Sequence, residues 1–328
     1  MKILVTGGAG FIGSHLVKYL IDRNYDVIVI DNLSTGSKSN LDYFNKINFI
    51  EGAVQDVTPP SLKNIDGIFH LAAQASVPVS IDNFFSSSSN NLLSTVRVFE
   101  WAKIYNIPIV YASSSAVYGN LPLGDDKLEK YDILSPYAQD KLTMEQYAKM
   151  CWAVYRTPSI GLRFFNVYGP RQDPTKPYSG VISIFIDRLI RNQPVNVNGG
   201  YQTRDFIFVK DIVNIMTQSM DCLLNNKLCE VLNVGTGRSV TIKHRLDMLA
   251  NIINVVPEVI LKDLPLGDPE QSDGDYKKLK STLKVNIDQF FKLKKGLRAT
   301  IDLMTIIGFI FFFPTKNKNI KVERICNV

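Results

Sequence analysis

The feature that most constrains this chain is the run from residue 2 to residue 31. Lys2-Ile3-Leu4-Val5-Thr6 has the character of a short strand, and Gly7-Gly8-Ala9-Gly10-Phe11-Ile12-Gly13 follows at once. Leu16, Val17, Leu20 and Ile21 then set an apolar stripe at helical spacing. A strand, a G-x-x-G-x-x-G turn and an amphipathic helix in that order open a dinucleotide-binding unit. Gly7 permits the tight turn, Gly10 lets backbone approach a pyrophosphate, and Gly13 allows the helix to pack closely on the strand. The phosphates then meet the helix N-terminus, where free N–H groups and the dipole favour anions. Asp31 ends the second apolar run, DVIVID, 18 residues beyond Gly13. A carboxylate there accepts from ribose hydroxyls and repels a 2′-phosphate, and no arginine follows in residues 32–36. The pattern is read as NAD, not NADP.

The alternation continues along the chain. Strands are expected at 2–6, 26–31, 47–52, 67–72, 107–113, 159–166 and 230–235, mostly as continuous apolar runs of the kind buried on both faces. Helical patterns lie between them. The fold class implied is α/β, a doubly wound parallel (Rossmann) sheet. The serines of 86–89, with Asn90 and Asn91, are expected to form a loop leading into a helix over 92–105. From about residue 166, Gly-Pro, Asp-Pro, Lys-Pro and Gly-Gly pairs interrupt the alternation. They predict a smaller C-terminal α/β substrate-binding region. The expected division is 1–165 for NAD, with 205–235 returning to it, and 166–204 plus 236–328 for substrate.

Composition narrows the function classes. Hydrophobic residues make up 45% and charged residues 21% of 328, values of a soluble globular protein. A net charge of +6 is too small over this length to argue for nucleic acid. Four cysteines (151, 222, 229, 326) without a C-x-x-C spacing, and three histidines, give no expected metal or disulfide framework. Reduced thiols and no signal-peptide pattern at the start predict a cytoplasmic protein. The apolar run MTIIGFIFFF at 304–313 is too short to span a bilayer, and is expected to be a buried terminal helix or a sticky tail.

Chemistry is suggested further along. Ser135-Pro136-Tyr137-Ala138-Gln139-Asp140-Lys141 opens a helix, with Pro136 suited to its first turn. Tyr137 and Lys141, at i and i+4, share a face. A phenol with an ordinary pKa of about 10 is a poor base at neutral pH. A lysine cation nearby, and a nicotinamide cation, would favour phenolate and make the pair a general acid/base. A bare Y-x-x-x-K pair arises often by chance on helices, so its weight comes from the dinucleotide turn. Upstream, a strand ends in Ser113-Ser114-Ser115, at the carboxyl edge where ligands bind in open α/β sheets. These hydroxyls either hold a substrate oxygen or cap the next turn.

With these features the chain resembles the extended short-chain dehydrogenase/reductase family, specifically its nucleotide-sugar 4-epimerases, from Met1 to about Asp268. The motifs are TGGAGFIG at 6–13, DNLSTG at 31–36, HLAAQASV at 70–77, SSSAVYG at 113–119, YAQDK at 137–141, RFFNVYGPRQDP at 163–174 and TRDFIFVKDI at 203–212. The resemblance implies that Ser114, Tyr137 and Lys141 are catalytic. It implies NAD contacts from Gly7, Gly10, Phe11, Ile12, Gly13, Asp31, Asn32, Ser34 and Gly36. Leu71, Ala72, Ala73, Gln74, Asn91, Tyr137, Lys141 and Phe164 complete the implied cofactor set. Ser76 and Ser115 would face the sugar. Asn166, Val181, Asn196, Asn198 and Arg204 would bind the nucleotide diphosphate, with Asp268 also in the substrate set.

The implied activity is epimerisation at C4 of a UDP-sugar through a 4-keto intermediate. UDP-glucose/galactose and the N-acetylated pair are both in view, and Asn198 and Ser76 lean to the latter. A reductase, a different epimerase, or a non-catalytic NAD-binding protein of the same fold are the alternatives. Related dehydratases carry Thr-Asp-Glu, and decarboxylases a glutamate, where this chain has Ser114-Ser115-Ala116. The resemblance also implies a homodimer paired through helices near 92–105 and 135–155, with Leu142, Met144, Tyr147, Met150 and Trp152 covering sheet and partner. Three departures stand out. Gly52-Ala53-Val54 lacks the usual adenine-binding aspartate, which Gln55 or Asp56 would have to replace. Pro265-Leu266-Gly267-Asp268 lacks the diphosphate-binding arginine. The chain from about residue 285 loses much of the pattern.

Overall fold

The computed structural model describes residues 1–41, 44–57, 63–176, 179–265 and 267–312. The first half runs β1 (Lys2–Thr6), α1 (Phe11–Asp22), β2 (Asp26–Asp31), β3 (Ile47–Glu51), β4 (Gly67–His70), α2 (Val77–Asp82), α3 (Phe84–Tyr105), β5 (Ile109–Ser114) and α4 (Pro136–Tyr155). It continues with β6 (Ser159–Phe164), β7 (Asn166–Tyr168), α5 (Val181–Ile190), β8 (Val195–Asn198), β9 (Thr203–Phe208), α6 (Val209–Asn225) and β10 (Cys229–Val234). The last elements are β11 (Ser239–Thr241), α7 (Ile242–Ile253), β12 (Val259–Lys262), α8 (Lys277–Leu283) and α9 (Leu293–Phe312).

All seven expected strands form one sheet, ordered β10-β6-β5-β4-β1-β2-β3 and parallel throughout. In six of them the continuous apolar character is explained by burial on both faces, while β3, at the sheet edge, is half-buried to exposed. One core cluster joins Val5, Val27, Val29 and Ile160 to Leu16 and Leu20 of α1 and Ile212 and Met216 of α6. The other joins Leu4, Ile28, Ile68 and Ile109 to Val98 and Phe99 of α3 and Met144 and Ala148 of α4. The chain winds outward from β1 to β3, then crosses to β4 and winds the other way. The carboxyl ends of β1 and β4 therefore bound a crevice at the switch point.

A smaller region sits over that edge. It holds the sheet β11-β9-β7, the pair β12-β8, and a core of Ile182, Phe185, Val195, Leu246, Leu249 and Leu297. β9 belongs here, while α6 and β10 pack back into the large sheet. Met304 of α9 packs on the smaller core. The side chains from Ile306 on and residues 313–328 fall outside the described set, so most of the expected apolar end does too.

One expectation is corrected. Residues 86–91 are helical, not a loop, because α3 begins at Phe84. Serine and asparagine disfavour helices when their side chains compete for local backbone groups. Here the side chains are engaged elsewhere. Ser87 donates to Gln74 Oε1 (2.9 Å), Ser88 to Asp140 Oδ1 (2.7 Å) and Asn91 Nδ2 to Asp140 Oδ2 (3.0 Å).

Candidate active site

A cavity of about 920 Å³ runs from the crevice to the smaller region. At its cofactor end Gly7 has φ +72°, and a Cβ there would lie 2.7 Å from Ala72 N. The loops after β1 and β4 can meet only at a glycine. At Gly13 a Cβ would lie 2.1 Å from Gly7 O, so this glycine seats α1 against the turn. No side chain caps α1, and residues Gly10 to Gly13 line the cavity, as an anion site at a helix N-terminus requires. Asp31, 7% exposed, accepts from Ala9 N (2.9 Å) and Leu33 N (2.8 Å). Burial raises its pKa, and the two backbone donors oppose that. They fix the carboxylate while leaving lone pairs for ribose hydroxyls.

The middle of the cavity is built by α4 and the end of β5. Ser135 caps α4 by accepting from Ala138 N (3.2 Å), and Pro136 fits the first turn. Ser80 Oγ accepts from Tyr137 N (3.1 Å), which fixes the helix start against α2. Tyr137, 9% exposed, shares the cavity wall with Ser114, whose Oγ accepts from Ala116 N (3.1 Å). Lys141 Nζ donates to Ala112 O (2.7 Å) and lies 5.7 Å from the Tyr137 ring centroid. Burial lowers the Lys141 pKa to about 8, against the raising charges of Asp140 and Glu145. Burial raises the Tyr137 pKa, Ser114 lowers it and Asp140 raises it. Burial therefore favours the protonated phenol at neutral pH, and the Lys141 cation is the group at hand to favour its ionisation.

Behind these groups lies a buried polar network that sequence reasoning missed. Arg163 grips both oxygens of Glu145 from Nε (2.8 Å) and Nη2 (2.6 Å), and donates from Nη1 to Tyr118 OH (2.6 Å). Ser113 also donates to Glu145, and Tyr118 OH donates to Asn233 Oδ1 (2.7 Å). The network ties α4 to β5, β6 and β10 directly beneath Lys141. Glu145 at i+4 from Lys141, and an arginine inside the apolar strand SIGLRF, were the available signals.

Of the sequence-derived set, Phe11, Ile12, Asn32, Ser34, Leu71, Ala72, Ala73 and Phe164 line the cavity toward the cofactor end and middle. Ser76, Ser115, Asn166, Val181, Asn196, Asn198, Arg204 and Asp268 line the rest. Gly36, Gln74 and Asn91 are not on the wall. Gly36 packs on Ala9, and Asn91 accepts from Gln74 N (2.8 Å), so these residues brace the wall from behind. Gly52, Ala53 and Val54 line the cavity but Gln55 and Asp56 do not, so neither side chain replaces the missing aspartate. At the far end Arg204 donates from Nη1 to Thr203 O (2.7 Å) and pairs through Nη2 with Asp268. Gln202 and Lys262, both beside Asn198, also line this end, Asp273 lines the cavity as well, and no motif had pointed to them. Among the described residues no cluster of His, Cys, Asp or Glu could hold a metal ion, and no helix is long and apolar enough to cross a membrane. Cys151, Cys222 and Cys229 are free thiols, and Cys326 lies outside the described residues.

Residues 3–235 match the profile of the NAD dependent epimerase/dehydratase family. The chain belongs to that family. NAD is the family's cofactor, and the glycine cradle and Asp31 fit it. A Methanocaldococcus jannaschii protein provisionally named UDP-glucose 4-epimerase is 38% identical over 312 residues, 92% of this chain and 98% of its own length. UDP-glucuronic acid decarboxylase 1 of Arabidopsis thaliana is 32% identical over 308 residues, 90% of this chain and 68% of its length. The structure of UDP-N-acetylglucosamine 4-epimerase from Methanobrevibacter ruminantium M1, in complex with UDP-N-acetylmuramic acid, matches with a TM-score of 0.86. It is 35% identical, over 93% of this chain and 98% of that one.

Proposed function

We propose that this family member inverts C4 of a UDP-sugar, either UDP-glucose/galactose or the N-acetylated pair. The observation that carries the reading is the middle of the cavity. Tyr137, Lys141 and Ser114 converge there, while the adjoining Ser115 and Ala116 add no carboxyl. Elimination or decarboxylation calls for further ionisable groups at the sugar. Epimerisation needs one proton acceptor that can also return the proton.

Bound NAD supplies the redox chemistry at C4. Tyr137 takes the proton of the 4-hydroxyl and later gives it back. Ser114 holds the same oxygen by a hydrogen bond, and the Lys141 charge favours the phenolate. Gly7, Gly10, Phe11, Ile12, Gly13, Asp31, Asn32, Ser34 and residues 71–73 would hold the cofactor. Arg204 offers a planar fork to the nucleotide's phosphates once Asp268 yields it. Asn198 and Ser76 on the wall support the N-acetylated sugars. The test is incubation with a panel of UDP-sugars without added NAD. A 4-epimer is expected. Consumption of added reduced cofactor, or loss of carbon dioxide or water, would replace this reading.

The pairing surface is part of the same proposal. Phe84, Phe85, Leu93, Val96 and Ile104 on α3, and Tyr147, Met150, Val154 and Tyr155 on α4, are all exposed. The two helices pack side by side, so a second copy can cover both. Leu142 and Met144 are instead buried within the chain. Sedimentation should show a dimer, and Val154→Glu should shift it to monomer.

A further inference from the structure

We infer that Lys262 supplies the second cation for the nucleotide's diphosphate, taking over the task that Pro265 leaves undone. The inference rests on the nucleotide-sugar reading above. It starts from the register of β8 and β12. In β8, Val195 and Val197 are buried, while Asn196 and Asn198 alternate to the other face and line the cavity. β12 pairs with β8 in parallel, with Ile260 opposite Asn196 and Lys262 opposite Asn198. Directly paired residues share a face of the sheet, so Lys262 projects beside Asn198. Gly199 N donates to Lys262 O (2.8 Å), which pins the end of β12 at this point. Lys262 accordingly forms part of the cavity wall.

The charges at this end make the case. A nucleoside diphosphate ester brings two ionised phosphoryl groups. Arg204 is the obvious partner, but its guanidinium is already paired with Asp268. That pair leaves Arg204 and Asp268 together without net charge. Pro265, also on the wall, contributes no charge. Without another cation this end would not favour an anion. Lys262 has no ion pair among the described residues, and a lysine on a flexible stem can follow a phosphate as a point charge. Asp268 then acts as the stand-in anion that keeps Arg204 extended until the diphosphate replaces it.

The experiment is calorimetric titration of the NAD-loaded protein with UDP, GDP and ADP. Lys262→Gln should weaken the best-bound of these by about ten-fold or more, the worth of one charge-assisted contact. It should also flatten the salt dependence of binding. Lys262→Arg should keep most of the affinity, and Pro265→Arg placed on Lys262→Gln should restore much of what was lost. Unchanged affinity in Lys262→Gln would overturn the inference, as would failure of the wild type to bind any of the three. Binding is read separately from turnover. Lys262-dependent binding without any 4-epimer would leave the inference standing and remove the proposed reaction.

Discussion

Burial acts on Tyr137 and Lys141 in opposite senses, and both senses matter. It drives the phenol away from ionisation, and it drives the lysine toward losing its charge, to a pKa of about 8. At pH 7 the lysine is still a cation, which is what a phenolate beside it needs. Tyr137→Phe removes the hydroxyl and keeps the ring packed. Turnover should fall by roughly two to four orders of magnitude while NAD stays bound, as read by steady-state epimerisation and release of cofactor on denaturation. Near-normal turnover would return the Tyr/Lys pair to coincidence. Lys141→Met should also abolish turnover but raise the melting midpoint at pH 7. A buried cation with a lowered pKa costs stability below about pH 8, and that cost fades as pH rises from about 8 toward 10.5. Asp140 and Glu145 keep other partners in the variant, through Ser88 and Asn91 and through Arg163. A midpoint that falls would mean that the bond from Lys141 to Ala112 O outweighs the desolvation cost.

The first βαβ turn assigns different work to neighbouring glycines, and two substitutions separate the tasks. At Gly13 a Cβ would stand 2.1 Å from a backbone oxygen, whereas at Gly10 the nearest atom would be 3.3 Å away. Gly13→Ala should therefore lower the melting midpoint of the protein sharply, because α1 must move off the turn. Gly10→Ala should fold with a near-normal midpoint and lose NAD affinity, since its methyl enters the space for the pyrophosphate. Equal effects on folding would merge the two roles. This turn was legible in sequence because strand, glycines and helix lie within one local stretch. The seven strands of the large sheet were legible for the same reason, each carrying its own largely apolar run. The start of α3 was not, because its serines are rescued by Gln74 and Asp140 from elsewhere in the chain. The Arg163–Glu145 network and Lys262 were hidden likewise. Their significance arises from a pairing across the fold that no spacing reveals.

The whole molecule depends on a joint between its two parts, and one histidine sits in it. His15, on α1, bonds Pro170 O through Nε2 (2.9 Å), just past β7 in the smaller region, and meets Phe11 edge-on. Burial, with Arg171 and Lys210 nearby, holds its pKa down to about 4, although the Pro170 bond pulls upward. The unfolded chain would take the proton near 6.5, so the folded state refuses a proton that the unfolded state accepts. Stability is therefore whole above pH 6.5 and is lost as pH falls toward 4. His70, bonded to Thr6 between β1 and β4, is lowered further, to about 3, and acts in the same direction. Asp211, raised to about 6 by burial, acts the other way between 3.8 and 6 and offsets part of the loss. His15→Gln isolates the joint. An amide can still donate to Pro170 O, but it does not titrate. The melting midpoint of the wild type should drop between pH 7 and pH 5 by more than that of His15→Gln. The variant should keep NAD bound to a lower pH, because the cavity lies across the joint that His15 ties. Parallel pH profiles for the two proteins would show that His15 does not carry this acid sensitivity.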